Sequence, residues 1–222
     1  MKKLLLIAVF FIAYNSNAQV TKNLGDFDNV KVFDKMNVKL IAASENKIVI
    51  SGDRESEVEV VNKNGELKIR MPFPKLLSGD AITVKLYFKR LESINASEGS
   101  YISSDYTFKQ TSLEVNAKEG SEIKVKVDVQ KVNVKANSGG IVEVSGDALN
   151  QNVVITSGGI LKATDLHTSQ TSISVAAGGK AEIYAITLVD AKVKAGGSIY
   201  IYGKPKQINK ETIIGGTIIE KN

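Results

Sequence analysis

The chain has no cysteine and a single histidine among its 222 residues. The first absence excludes disulfides and a lipid anchor built on an N-terminal cysteine, so the fold holds by packing and hydrogen bonds alone. Together the two absences make a zinc site untenable. Charge of one sign is also scarce: 29 basic against 24 acidic residues leave +5, and lysines such as Lys124 and Lys126 alternate with Glu122 and Asp128. A nucleic-acid face clusters its basic residues. Mixed strands of this kind read as solvated faces, with no nucleic acid as partner.

One apolar run stands out, over residues 4–13, after Lys2 and Lys3 and before Tyr14-Asn15-Ser16-Asn17-Ala18. Basic start, short apolar stretch and two small residues two apart make a secretory signal peptide over residues 1–18. Cleavage after Ala18 would remove two lysines and leave a net charge of +3. The run is shorter than the ~20 residues a membrane span needs, and no second run follows, so the mature chain carries no transmembrane segment.

What the sequence does have is a repeat. Glycines fall at positions 99, 120, 139, 158, 178, 196 and 215, at steps of 21, 19, 19, 20, 18 and 19 residues. From Gly139 onward each is followed by a second glycine, whereas Ser100 and Ser121 follow the first two. The flanks alternate apolar and polar residues, as in Ile123-Lys124-Val125-Lys126-Val127 and Val132-Asn133-Val134-Lys135-Ala136. Period two is the mark of a strand with one buried face. A corner that recurs once per unit stacks each strand on its own copy one coil away, in parallel, at ~4.8 Å. The pattern predicts an all-β fold: a right-handed parallel β-solenoid (β-helix) over residues 91–222, in coils of about 19 residues. Ala96, Ala117, Ala136, Ala177 and Ala195 are expected inside, beside the corners.

Residues 19–90 are strand-rich without the repeat. Asn64-Gly65 between two alternating stretches is a hairpin signal. Residues 72–80 read as a loop, and residues 81–88 as a strand leading into the first coil. This half is expected to be an N-terminal β cap continuous with the solenoid, since an uncovered end exposes backbone that invites association. At the other end Ile213, Ile214, Ile218 and Ile219 precede only Glu220-Lys221-Asn222, so self-association through that edge is an outcome the pattern allows.

The segments Phe27-Asp28-Asn29-Val30-Lys31-Val32, Ile48-Val49-Ile50-Ser51-Gly52-Asp53, Asn64-Gly65-Glu66-Leu67-Lys68-Ile69 and Leu91-Glu92-Ser93-Ile94-Asn95-Ala96-Ser97-Glu98-Gly99-Ser100, followed by the glycine coils, carry a resemblance. Over roughly residues 24–219 the chain resembles the head GIN domain family, described as auto-transporter adhesins whose biochemical function is not established. The resemblance implies a right-handed β-solenoid in the cell envelope and transfers no catalytic residue.

Chemistry is sparse. His167, in Asp165-Leu166-His167-Thr168, reads as a solvated loop residue between coils. The residues after the corners do not fit the aspartate spacing of calcium-binding nonapeptide repeats. Glu98 and Glu119 occupy equivalent places on consecutive coils, where two close carboxylates could do acid–base work. They stand beside a tight corner with no long loop to build a cleft, and ordinary outward carboxylates are the simpler account. Tyr101, Tyr106, Tyr184, Tyr200 and Tyr202 could meet carbohydrate, and Tyr200 and Tyr202 share one strand face. No catalytic, cofactor-binding or metal residue is assigned. The expectation is an exported, non-enzymatic, adhesin-like envelope or surface protein, located in the periplasm, at the outer membrane or outside the cell, with a surface glycan or protein as partner. The alternatives are a structural element assembling end to end and a carbohydrate-active β-helix enzyme.

Overall fold

A computed structural model describes residues 19–221. The signal-peptide reading of residues 1–18 lies outside the described residues. Sixteen strands and one short 3-10 turn (Glu55–Glu57) are formed by the described residues. No helix among them is long and apolar enough to cross a membrane.

Five long strands carry the solenoid: β9 (Tyr101–Lys118), β10 (Glu122–Asn137), β11 (Ile141–Ile155), β12 (Ile160–Ala176) and β13 (Lys180–Lys194). Each pairs with the next in parallel, as the repeat predicts. Alternation drives this. In β10 the side chains of Ile123, Val125, Val127 and Val129 are buried, and Lys124, Lys126 and Asp128 face solvent. The alternation breaks at the adjacent exposed pair Gln130 and Lys131, then resumes with Val132, Val134 and Ala136 inside. That break is where one strand bends into the second face of the coil.

The glycine corners divide two tasks. Residue pairs 98–99, 119–120, 138–139, 157–158 and 177–178 all have positive φ. The amide two residues after the first of each pair returns to the carbonyl before it, as from Gly159 to Thr156 at 3.0 Å. Two left-handed central residues in such a turn are the type I′ pattern, and glycine takes the second place because it tolerates that φ. The following glycine answers a different constraint. A side chain on Gly140 would meet the Ala117 oxygen at 2.3 Å, and one on Gly159 the Ala136 oxygen at 2.3 Å. Earlier in the rod, Ser121 occupies this position, and its buried hydroxyl donates to the Ala96 oxygen at 2.8 Å.

Between coils the corners are tied by a backbone ladder. The amides of Lys35, Gly99, Gly120, Gly139 and Gly158 donate to the carbonyls of Glu98, Glu119, Ser138, Ser157 and Ala177 at 2.9–3.1 Å. Ala96, Ala117 and Ala136 are inside as expected. Ala177 and Ala195 are not: they occupy the first corner position at positive φ, outside the core. The inward places corresponding to Ala136 hold Ile155, Val175 and Val193. The alanines stand two residues past these inward places because the type I′ turn uses the residue before the glycine.

The cap is woven rather than stacked in chain order. β2 (Asn29–Val32) and β3 (Asn37–Ala42) turn at Asp34-Lys35, a corner with positive φ and no glycine. Their rung pairs in parallel with β8 (Ser93–Ala96) and β9 on one side. On the other side it pairs in parallel with β6 (Glu66–Arg70) and β7 (Ile82–Phe88). The later segment therefore lies outside the earlier one. β4 (Lys47–Gly52) pairs antiparallel with β7, β1 (Gln19–Asn23) with β4, and β5 (Glu59–Lys63) with β6 across the Asn64-Gly65 hairpin.

At the far end β14 (Ser198–Tyr202), β15 (Gln207–Ile213) and β16 (Thr217–Glu220) complete the coils. Lys210 and Glu220 stand in register with the inward residues Ala191 and Ile201. They pair with each other at 2.6 Å across the open end of the core. Ile213, Ile214 and Ile219 are exposed. An inward-pointing charge pair on an edge coil discourages another chain from continuing the interior.

The two glycines of one corner should respond differently to a methyl group. Gly158→Ala meets nothing within 4 Å and suffers only from its φ of +72°, a cost of about 1 kcal/mol. Gly159→Ala strikes backbone that cannot move without parting two coils, and should cost about 3 kcal/mol. Urea unfolding midpoints check this, and equal shifts or the reverse order would contradict it.

Candidate functional site

Register turns separated residues into surface columns. Tyr202 lies opposite Tyr184, Tyr184 opposite His167, and His167 opposite Asp147. The His167 and Tyr184 rings meet edge to face at 4.8 Å. One outward position along, Tyr200 stands between Glu182 and Ile219. Lys180 and Lys221 each place their ammonium 5.3 Å from the Tyr200 ring centre. Ile199 and Ile201 point into the core beneath. The result is a group of three tyrosines and an imidazole on neighbouring strands, with the His167 and Tyr184 rings at 71° to each other. Both ammoniums lie over the Tyr200 ring as cation–π contacts, which joins apolar and charged groups in one patch.

His167 is not in a loop, as its sequence context suggested. It lies within β12. The register between β12 and β13 jumps from Ala163↔Ile183 to His167↔Tyr184. The extra residues form a bulge, which a sequence reading takes for a loop. His167 is largely solvent-facing, and its Nδ1 lies 3.6 Å from Asp147 Oδ1. The other two tyrosines stand apart. Tyr101 lies toward the cap, opposite Asn37 and Glu122. Tyr106 packs edge-on against Phe88 and Phe108 at 5.8 and 5.3 Å. It is pushed outward by a bulge where the register moves from Ser103↔Lys124 to Thr107↔Lys126.

The second cluster is the acidic corner. Glu98 and Glu119 are stacked on consecutive coils as the repeat predicts, and Asp34 extends the column into the cap. Burial raises the Glu98 carboxyl above the usual carboxylate range, and the charges of Asp34 and Glu119 push the same way. The expectation that no long loop reaches these carboxylates is overturned. Residues 71–81 fold across the corner, and Leu76 and Leu77 wall a cavity of about 550 Å3 with Glu98 and Glu119. The loop itself was legible; its docking on a buried aspartate 37 residues earlier was not. Among the described residues no group of three or more His, Cys, Asp or Glu side chains could hold a metal ion.

A parallel β-solenoid with a woven amino-terminal cap and a tyrosine-bearing sheet face defines the class. The chain belongs to the family described as "Putative auto-transporter adhesin, head GIN domain", whose model matches residues 26–205. Among solved structures it is similar to a "putative adhesin" of Bacteroides fragilis at 19% identity and a TM-score of 0.83, covering 93% of this chain and 98% of that one. A "putative lipid binding protein" of Parabacteroides distasonis is similar at 18% identity and a TM-score of 0.69, covering 94% and 98%. A "putative adhesin" of Parabacteroides merdae gives 17% and 0.65 with the same coverage. At these identities the likeness is one of fold. No curated protein matches the chain.

Glu98 makes stability depend on pH in a definite sense. An acid whose pKa is raised by folding is penalised when ionised, so the penalty operates above that raised value. It disappears as the pH falls below the ordinary carboxyl range, where both states are protonated. Glu98→Gln should therefore unfold at a higher temperature than the parent at pH 7, with the difference closing below about pH 4. Thermal unfolding at both pH values checks this, and a pH-independent difference would refute the assignment.

Proposed function

We propose that this chain works after export as a non-enzymatic, adhesin-like binding protein of the cell envelope or surface. Its tyrosine face is the contact surface for a glycan. The observation that carries this reading is the in-register set Tyr184, Tyr202 and His167 beside Tyr200, whose ring two lysines flank. Sugar rings present apolar C–H faces and hydroxyl edges, which suit an aromatic surface with charged groups around it. Preorganisation favours the same reading: side chains fixed on a continuous sheet lose little freedom on binding. Family membership and the adhesin names of fold relatives agree with it.

The readings of end-to-end assembly and of enzymatic action receive less support. Lys210 and Glu220 place charge where a following coil would bury apolar residues. Glu98 and Glu119 stack at one corner of the rod beneath a single loop, and Glu119 is paired with Lys118 at 3.4 Å.

A glycan array with the parent and a Tyr200→Ala/Tyr202→Ala variant tests the proposal. The chain has no tryptophan, so tyrosine fluorescence can follow each hit in solution. The double variant should lose at least about tenfold in affinity, equivalent to ~1.4 kcal/mol, while its circular dichroism and unfolding midpoint stay close to the parent's. Binding unaffected by the two substitutions, or no glycan bound by the parent, would end this reading.

A further inference from the structure

The corner between β6 and β7 is oversized. Eleven residues separate Arg70 from Ile82, where the glycine corners need only a four-residue turn. The surplus is clamped. The buried Asp34 carboxylate accepts the amides of Met71 at 2.9 Å and Leu77 at 2.7 Å. The Gly79 amide donates to the Asp34 carbonyl at 3.0 Å. Lys75 reaches Glu57 at 2.8 Å. Yet the clamped loop turns its large apolar side chains outward: Phe73 is 86% exposed, Leu76 51% and Leu77 50%. Pro72 and Pro74 flank Phe73 and restrict the backbone on either side of it. A loop held this firmly has given up the freedom to fold its apolar groups inward, which marks the patch as a contact surface.

Chemistry beside the patch narrows the partner. Leu76, Leu77, Glu98, Gly99, Glu119 and Lys35 together line the cleft of about 550 Å3. The cleft is open to solvent along much of its length, and its volume suits one long side chain laid against the leucines. Neither Asp34 nor Glu98 takes part in an ion pair among the described residues. Asp34 is buried, with its oxygens taken by the amides of Met71 and Leu77, whereas Glu98 faces the leucine-walled space without an ion-pair partner. A cation on an aliphatic stem fits both features, the stem against the leucines and the head at the acids.

We propose that this loop and corner form a docking site for a partner polypeptide, taking one lysine or arginine side chain into the cavity and setting that residue's apolar neighbours on Phe73 and Leu76. The site is at the cap, remote in sequence from the tyrosine face, and does not depend on the glycan reading. A polypeptide is favoured over a free amine because the apolar surface continues beyond the cavity to Phe73, out of reach of a single side chain.

The test uses the full exported chain, isotopically labelled, with three probes: the peptide acetyl-Leu-Lys-Leu-Phe-amide, the same peptide with glutamate replacing lysine, and butylammonium. The lysine peptide should produce saturable amide shifts at Leu76, Leu77 and Gly99 at millimolar concentration. The glutamate peptide should not, and butylammonium should bind at least about tenfold more weakly than the lysine peptide. Glu98→Gln should weaken the lysine peptide about tenfold. That variant is expected to be more stable than the parent at neutral pH, so its loss is not one of folding. Phe73→Ser, at an exposed position, should weaken the peptide and leave butylammonium unchanged. Absence of saturable shifts, equal binding of the two peptides, or butylammonium matching the lysine peptide would each overturn the proposal.

Discussion

Everything on the surface of this protein depends on register, and register is held at the corners. A run of alternating strands stacked in parallel can slip by two residues without exposing its core, because the pattern repeats every two. The type I′ turn and the ladder of amide-to-carbonyl bonds between successive corners remove that freedom. From Gly140 onward the glycine after the turn adds a steric lock, since a side chain there would strike the neighbouring coil, while Ser100 and Ser121 at the first two corners bond it through their hydroxyls. Outward side chains then line up from coil to coil, and a residue's neighbours are set by the coil length rather than by the chain.

Where coil length varies, bulges absorb the difference and move side chains relative to the columns. The first coil has two residues more than the next and thrusts Tyr106 outward against Phe88 and Phe108. The coil carrying His167 has one more than the coil before it, and its bulge brings the imidazole against Tyr184. A regular repeat supplies stability through identical interfaces. The irregularities supply the side-chain groupings that a strictly periodic rod would lack.

This explains what the sequence discloses and what it withholds. Glycine steps and alternation make the solenoid, its coil length and the Asn64-Gly65 hairpin legible. Tyr184 beside Tyr202 follows from their separation of 18 residues, the same step that separates Lys180 from Ser198. His167 beside Tyr184 does not follow, because 17 residues match no glycine step and the bulge has no compositional sign. The corner role of Ala177 and Ala195 is hidden too, since alanine is equally at home inside. Least legible is Asp34. Nothing local distinguishes it from an exposed aspartate, yet it anchors a loop that arrives only at residue 71. Long-range hydrogen bonds of this kind have no periodicity to read.

The weaving of the cap bears on how the molecule would take a mechanical load. In a simple solenoid the terminal coil has one neighbour, and a pull on the chain end strips rungs one at a time. Here tension on the amino terminus would first unzip β1 from β4, a single antiparallel pair. It would then reach β2 and β3, a rung gripped along both edges, by β6 and β7 outside and by β8 and β9 inside. Freeing that rung requires breaking two ladders together, so a tether attached at this end would hold until the cap failed as a unit.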